Sequence, residues 1–383
     1  GWRIAFLTLL LLWCASLFFK NAVYQISFAA LNLLFLAHLL YFKNYEILSE
    51  ILKKTRFIAI CFVCLVATLA ISNLLNEAVI SKKAWQSTLF FILRYGTIFL
   101  TLCYFYKLKF FDQNAVFAFL FVGLGILSAS AIYQFVSSSD AIVFSSDSVR
   151  GGLSGALSNR NILGLFMGFG LCLSAVAIRR SLALKFAALF LFAFFMIFSF
   201  SRAAWVGAFC ALAFYGALNL KSLNKKYLLF TIGFIAIFAV LLVLSPSFEQ
   251  RLAALFSGDS SGRTVIWSYI LEMAQEKPIL GYGLGSYINL PGSPVLEHPE
   301  YNAPHNLFLE ILLYSGVLGL IFYGAILFSV FKECIQSRQF GVLTLLIYLL
   351  IDCQFDHGAY LSKEALSLAT ILSFLAYRMR IER

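Results

Sequence analysis

His305 is one of only four histidines in the chain, and it stands in YNAPHNLFLE (301–310), between a Pro-punctuated polar loop and a long apolar run. An unperturbed imidazole titrates near pH ~6.5, so at neutral pH it can accept a proton from a hydroxyl. A histidine at a helix start also serves as a purely structural group, and Asn306 beside it suits an N-cap. Arg202, in FSFSRAAWVG, and Arg263, which opens GRTVIW, bring a second kind of chemistry. A guanidinium is planar and always charged, and its fork of donors matches phosphate oxygens.

Arg202 interrupts nearly continuous apolar sequence from 184 to 220. Placing its charge near hydrocarbon costs at least a few kcal/mol on insertion scales, so it must face the protein interior or a wet cavity. Arg94, in FFILRYG, lies deep enough to need a partner, either a ligand or a carboxylate. Arg150, Arg160 and Arg251 have a plainer alternative, which is to reach headgroups or pair with carboxylates such as Glu249 and Glu272. His298, in PGSPVLEHPEYNAP, is a weaker candidate than His305 because its Pro-rich loop reads as mobile. Asp352 and Asp356, in IDCQFDHG, are four apart and are expected to share a helix face. No HxxxH or DxD spacing accompanies His298, His305, Glu297 and Glu300, so no metal site is expected.

These residues need elements to hold them, and composition says which kind. The chain is 61% hydrophobic and only 12% charged, far from a soluble globular composition and typical of a polytopic membrane protein. The net charge of +11 raises nucleic acid as a partner, but in membrane proteins Lys and Arg crowd the cytoplasmic loops, so no nucleic acid is expected. The eight cysteines lack disulfide or metal-ligand spacing and read as small buried hydrophobes. The apolar stretch after Gly1 is followed by no small-residue cleavage pattern and reads as a retained first helix.

At about 20 apolar residues per crossing, twelve spans are expected, at residues 4–19, 22–42, 57–75, 84–106, 115–136, 161–178, 184–200, 203–220, 227–245, 306–331, 341–355 and 361–377. The fold class is therefore an all-α integral membrane protein, with 1–245 carrying spans one to nine, 246–305 a large loop, and 306–383 the last three spans. Alternate connectors and the two termini hold 18 of the 29 Lys and Arg and are cytoplasmic by the positive-inside rule. The two longest connectors, 137–160 and 246–305, then face outward. In the second, Ile266, Ile270, Met273 and Ala274 recur at helical spacing, with Pro278 and Gly281 as terminators, which predicts a short amphipathic helix on the outer surface. Arg150, Arg160, Arg202, Arg251, Arg263, His298, His305 and His357 all fall on that outward face. Several arginines gathered there suit a lipid carrying pyrophosphate.

The segments SRAAWVG (201–207), GRTVIWSYILEMAQEKPILGYGLGSY (262–287) and PHNLFLEILLYSGVLGL (304–320), in this order and topology, resemble the bacterial O-antigen ligase and O-antigen polymerase superfamily of membrane glycosyltransferases. GGLSGALSNRNILG (151–164) is similar to a Gly- and Asn-rich helix start upstream in such proteins. The resemblance covers about 170 residues in its motifs, and the first five spans match in hydropathy alone. It implies a GT-C-like helical fold in the bacterial inner membrane, with both termini cytoplasmic and the active site periplasmic. It also implies metal-independent, inverting transfer of a glycan from undecaprenyl pyrophosphate to a hydroxyl of lipid A-core oligosaccharide, with no cofactor. By position, Arg202 and Arg263 would hold the donor pyrophosphate and His305 would orient or deprotonate the acceptor. Arg150, Arg160, Asn306, Arg94 and His298 are the further substrate-binding candidates, and membrane lipids are the remaining partners.

An O-antigen polymerase would use the same donor with an undecaprenyl-linked acceptor. A protein O-oligosaccharyltransferase often carries extra periplasmic sequence after its last span, whereas here about six residues are expected there. A lipid-linked oligosaccharide flippase would spread its charges through both leaflets, and the one-sided cluster favours catalysis.

Overall fold

The computed structural model describes residues 1–18, 21–137, 152–157, 159–179, 181–219, 233, 253, 262–356, 358 and 360–382. Among them every regular element is helical. In chain order these are α1 (Trp2–Ser16), α2 (Asn21–Phe42), α3 (Tyr45–Lys54), α4 (Arg56–Leu75), α5 (Ala84–Phe91), a π-helical segment (Ile92–Thr97), α6 (Ile98–Lys107) and α7 (Gln113–Ser137). They continue with α8 (Arg160–Ala177), α9 (Leu182–Phe198), α10 (Arg202–Leu218), α11 (Arg263–Glu276), α12 (Leu307–Gln336), α13 (Phe340–Asp352) and α14 (Lys363–Glu382). Among the described residues six helical stretches are long and apolar enough to cross a membrane, and α1, α9, α10 and α13 are shorter apolar helices. The molecule is built as a multi-pass membrane protein. The expected ninth span, 227–245, lies almost wholly outside the described residues.

Three departures from the expected spans have local causes. The connector KNYEILSEILKKTR is itself a helix, α3, because Lys54 reaches back to Glu50 at i,i+4 while Ile51 buries on the other face. The fourth span holds one π-helical turn at Ile92–Thr97. There Gly96 leaves room for the Phe62 ring, whose Cε1 would lie 2.7 Å from an added Cβ.

The third departure is a break in α12 at Gly316, where φ is 64° and ψ is −164°. Such a break frees backbone groups that must find partners in an apolar setting. The segment after α11 supplies them. Tyr282 N donates to Leu313 O at 2.8 Å and Gly283 N to Tyr314 O at 3.1 Å, while Val317 N donates to Pro278 O at 2.8 Å. Pro278 and Gly281 thus do more than end α11. Gly281 lies so close to α12 that an added Cβ would sit 2.4 Å from Leu313 O.

The expected amphipathic helix in the large loop is α11, with Ile266, Ile270 and Ala274 buried. Burial, reinforced by Glu276 and Glu272, pushes Tyr269 up to about 12, and burial also raises Tyr287 to about 12. Tyr282 therefore stays a donor, giving its proton to Glu276 Oε2 at 2.6 Å.

Candidate functional site

Three of the candidate arginines share a local position: Arg160, Arg202 and Arg263 are each the first residue of a helix, α8, α10 and α11. A cation there stands against the positive end of the helix dipole, and the same backbone N–H groups attract anions. Helix starts of this kind are therefore suited to a ligand carrying several negative charges.

Side-chain and backbone packing brings these helix starts to one end of the bundle. Tyr348 of α13 donates to Leu165 O of α8 at 2.8 Å, and an added Cβ at Gly207 of α10 would lie 3.3 Å from the Tyr348 ring. Counting back five residues from Gly207 and on four from Tyr348, at about 1.5 Å per residue, puts Arg202 level with the C-terminal end of α13 at Asp352. The α8 start is locked to the same turn, because an added Cβ at Gly164 would meet Ser201 Cβ at 2.4 Å.

The strap that follows α13 organises the other side of the site. Four consecutive residues each receive at least one contact. Leu307 N donates to Cys353 O at 2.8 Å, Asn306 Nδ2 to Gln354 O at 3.0 Å, Arg263 Nε to Phe355 O at 2.5 Å and His305 Nδ1 to Asp356 Oδ1 at 3.1 Å. Arg263 Nη2 also stands 4.0 Å from the same Asp356 oxygen. Asp356 is nearly buried, with a side chain 5% exposed, while His305 keeps 25%. Further along, the strap closes against α12 through Tyr360 N, which donates to buried Glu310 Oε1 at 2.9 Å.

The imidazole orientation follows from these partners. Both groups facing Nδ1, the Asp356 carboxylate and its backbone carbonyl at 3.3 Å, only accept. Nδ1 must then carry the proton, and Nε2 is the nitrogen able to accept one. His305 holds this position at φ 49°, a left-handed conformation that is uncommon for a non-glycine residue and concentrates at functional sites. The turn is fixed on both sides. Trp267 Nε1 of α11 donates to Pro304 O at 3.2 Å, and Asn306 Oδ1 caps α12 by accepting from Phe308 N and Leu309 N at 3.0 Å.

The structure therefore brings together His305, Arg263, Asn306 and Asp356, and its helix register adds the starts of α8 and α10 with Arg160 and Arg202. His298 is not among them: its side chain is exposed, tilted against the Tyr301 ring and 3.5 Å from Glu300. Arg94 belongs to a separate cluster of aromatic rings. Arg150, Arg251 and His357 lie outside the described residues. The expected shared helix face of Asp352 and Asp356 does not form, because α13 ends at Asp352 and Asp356 sits beyond it in the strap. That turn is what aims Asp356 at His305. An apolar crevice lined by Leu307, Tyr323, Ile326, Leu349 and Cys353 runs inward from beneath the site.

Comparison with known proteins agrees with the motifs. Residues 186–324 match the family model described as O-Antigen ligase. A Rickettsia conorii protein named "Putative polysaccharide ligase" is 33% identical over 92 residues, covering 21% of this chain and 22% of that protein. A Rickettsia felis protein of the same name is 34% identical over 88 residues, covering 20% and 22%. The chain thus aligns with about a fifth of the length of these curated relatives. The matched region contains Arg202, Arg263, His305 and Asn306. Asp356 and Arg160 lie outside the matched region.

Proposed function

We propose that the chain is an O-antigen ligase of the bacterial inner membrane, working on the periplasmic face within a GT-C-like bundle of about twelve spans, both termini cytoplasmic. It would transfer a glycan from undecaprenyl pyrophosphate to a hydroxyl of lipid A-core oligosaccharide. The observation that carries this reading is the His305–Asp356 pair, set beside Arg263 on the strap after α13.

In the proposed step, the acceptor hydroxyl oxygen attacks the anomeric carbon and its proton passes to His305 Nε2. The bond from that carbon to the pyrophosphate oxygen breaks, and the electron pair leaves with undecaprenyl pyrophosphate. Attack opposite the leaving group inverts the anomeric centre. Asp356 holds the Nδ1 proton and stabilises the imidazolium that forms. Arg263, with Arg202 and Arg160 at neighbouring helix starts, offsets charge growing on the pyrophosphate, the role a metal ion fills elsewhere. The apolar crevice below the site is suited to the hydrocarbon part of a lipid-linked substrate.

The test is a lipopolysaccharide gel of a deletion strain, complemented with wild type or with His305→Ala. Unmodified core with polymer held on the lipid carrier, restored by wild type alone, is the expected result. Core bearing a single repeat would instead assign a polymerase, and loss of all periplasmic product a flippase.

A further inference from the structure

Among the described residues, the candidate Arg94 has surroundings that the transfer site does not explain. It is 8% exposed, in the π-helical turn of the fourth span. Its guanidinium lies against the rings of Phe90 at 4.9 Å, Tyr24 at 5.6 Å and Phe28 at 6.0 Å. Rings engage the faces of a guanidinium. Its five N–H donors point outward in the guanidinium plane and need acceptors there. Buried Nε has none, and no described carboxylate pairs with Arg94. The group cannot shed its charge by deprotonation, and a buried unmet charged donor is costly.

The neighbourhood adds positive potential. Lys363 Nζ stands 5.5 Å from the centroid of the same Tyr24 ring. Lys363 is also the first residue of α14, whose N-terminal end is itself electropositive. Glu364 stands 3.5 Å from Lys363 Nζ. The π turn is fixed in place by α14, where Thr370 Oγ1 donates to Arg94 O at 3.2 Å. Single π turns inside α-helices recur at functional sites.

We propose that Arg94, held between Tyr24, Phe28 and Phe90 beside Lys363, binds the phosphate of an anionic lipid headgroup. A lipid is the source because the residues flanking the cluster are exposed and apolar: Val23 and Ile26 beside Tyr24, and Trp85 and Leu89 before Phe90. On a chain built to cross a membrane these side chains face lipid. None of these contacts of Arg94 and Lys363 involves His305 or Asp356, and binding there does not depend on the transfer reaction.

The test uses the full chain, purified and reconstituted in nanodiscs of phosphatidylglycerol mixed with phosphatidylcholine, with bound lipid read by native mass spectrometry after gentle release. Wild type should retain phosphatidylglycerol over phosphatidylcholine. Arg94→Met should cut that preference about tenfold or more, the scale of one charge-assisted contact, and Arg94→Lys should keep part of it. Thermal unfolding in detergent with added short-chain phosphatidylglycerol or inorganic phosphate separates the sources. A rise with the lipid alone, absent from Arg94→Met, supports a headgroup, whereas an equal rise with inorganic phosphate would overturn the lipid assignment. Equal retention of both lipids by wild type, or an unchanged preference in Arg94→Met, would overturn the site. If Arg94→Met does not fold, Arg94→Lys and Lys363→Met carry the same comparison.

Discussion

His305 donates its Nδ1 proton to Asp356 Oδ1 across 3.1 Å, although 50 residues separate them in the chain. An acceptor on Nδ1 fixes the tautomer, so Nε2 alone can take a proton. On the proposed reaction, His305→Ala removes the base and should lower transfer by about 10²- to 10⁴-fold, with insertion and expression unchanged. Normal surface polysaccharide at matched protein level would end that assignment.

Asp356→Asn preserves size but presents an amide whose NH₂ group can donate to Nδ1, stabilising the wrong tautomer. Activity should fall by about 10²-fold or more while the unfolding temperature changes little. The pH profile of the residual activity separates a positioning role from a structural one. A variant with wild-type rate and profile would show that the carboxylate does not orient the base.

Arg263→Ala removes both the contact to Phe355 O and the charge beside Asp356. Arg263→Lys keeps a charge but loses the planar fork. Transfer should be abolished in the first and strongly reduced in the second, with lipid-linked donor accumulating in both. Equal activity of Arg263→Lys and wild type would argue against two-pronged recognition of phosphate.

Asn306→Ala deletes the α12 cap and the bond to Gln354 O together. The expected loss of stability is about 1–2 kcal/mol, read as a lower unfolding temperature in detergent. Activity should fall as well, since His305 is the preceding residue. A variant as stable as wild type would show that the cap is dispensable.

At the other end of the bundle, hydrogen bonds from Lys107 and then Lys54 hold Glu50 down at about 2, against an ordinary 4.5. A depressed carboxylate contributes stability that is full above its unfolded value and is lost as pH falls through the folded one. The contribution should fade between about pH 4.5 and 2, and Glu50→Gln should flatten this limb of the stability profile. An identical acid limb in the variant would exclude Glu50 as its cause.

Much of this candidate site was legible in the sequence because it gathers residue types that stand out in an apolar chain. Arg263, His305 and Asn306 stood out for that reason, and the periodicity of Ile266, Ile270 and Ala274 announced α11. The partner of His305 was harder to find. Asp356 follows an apolar run closely enough to read as its last helical turn, and only the end of α13 at Asp352 turns it towards the imidazole. The strap contacts use backbone carbonyls of Cys353, Gln354 and Phe355, which carry no side-chain signature. The break at Gly316 was hidden similarly, since one glycine inside an apolar run leaves hydropathy unchanged. Its cause lies in hydrogen bonds to a segment more than thirty residues earlier.

That stitched break bears on how the protein is made. The segment at 278–283 leaves the ribosome before α12 does, so partners for the open backbone groups around Gly316 exist when α12 is inserted. A broken helix placed in lipid without them would expose bare amides and carbonyls. α11, its following loop and α12 thus form a unit that can mature during synthesis, before α13 and α14 are available to support it. Gly316→Ala, which would drive a Cβ to 2.2 Å from Ile279 O, should therefore appear first as a defect in biogenesis, with degraded chains rather than inactive ones.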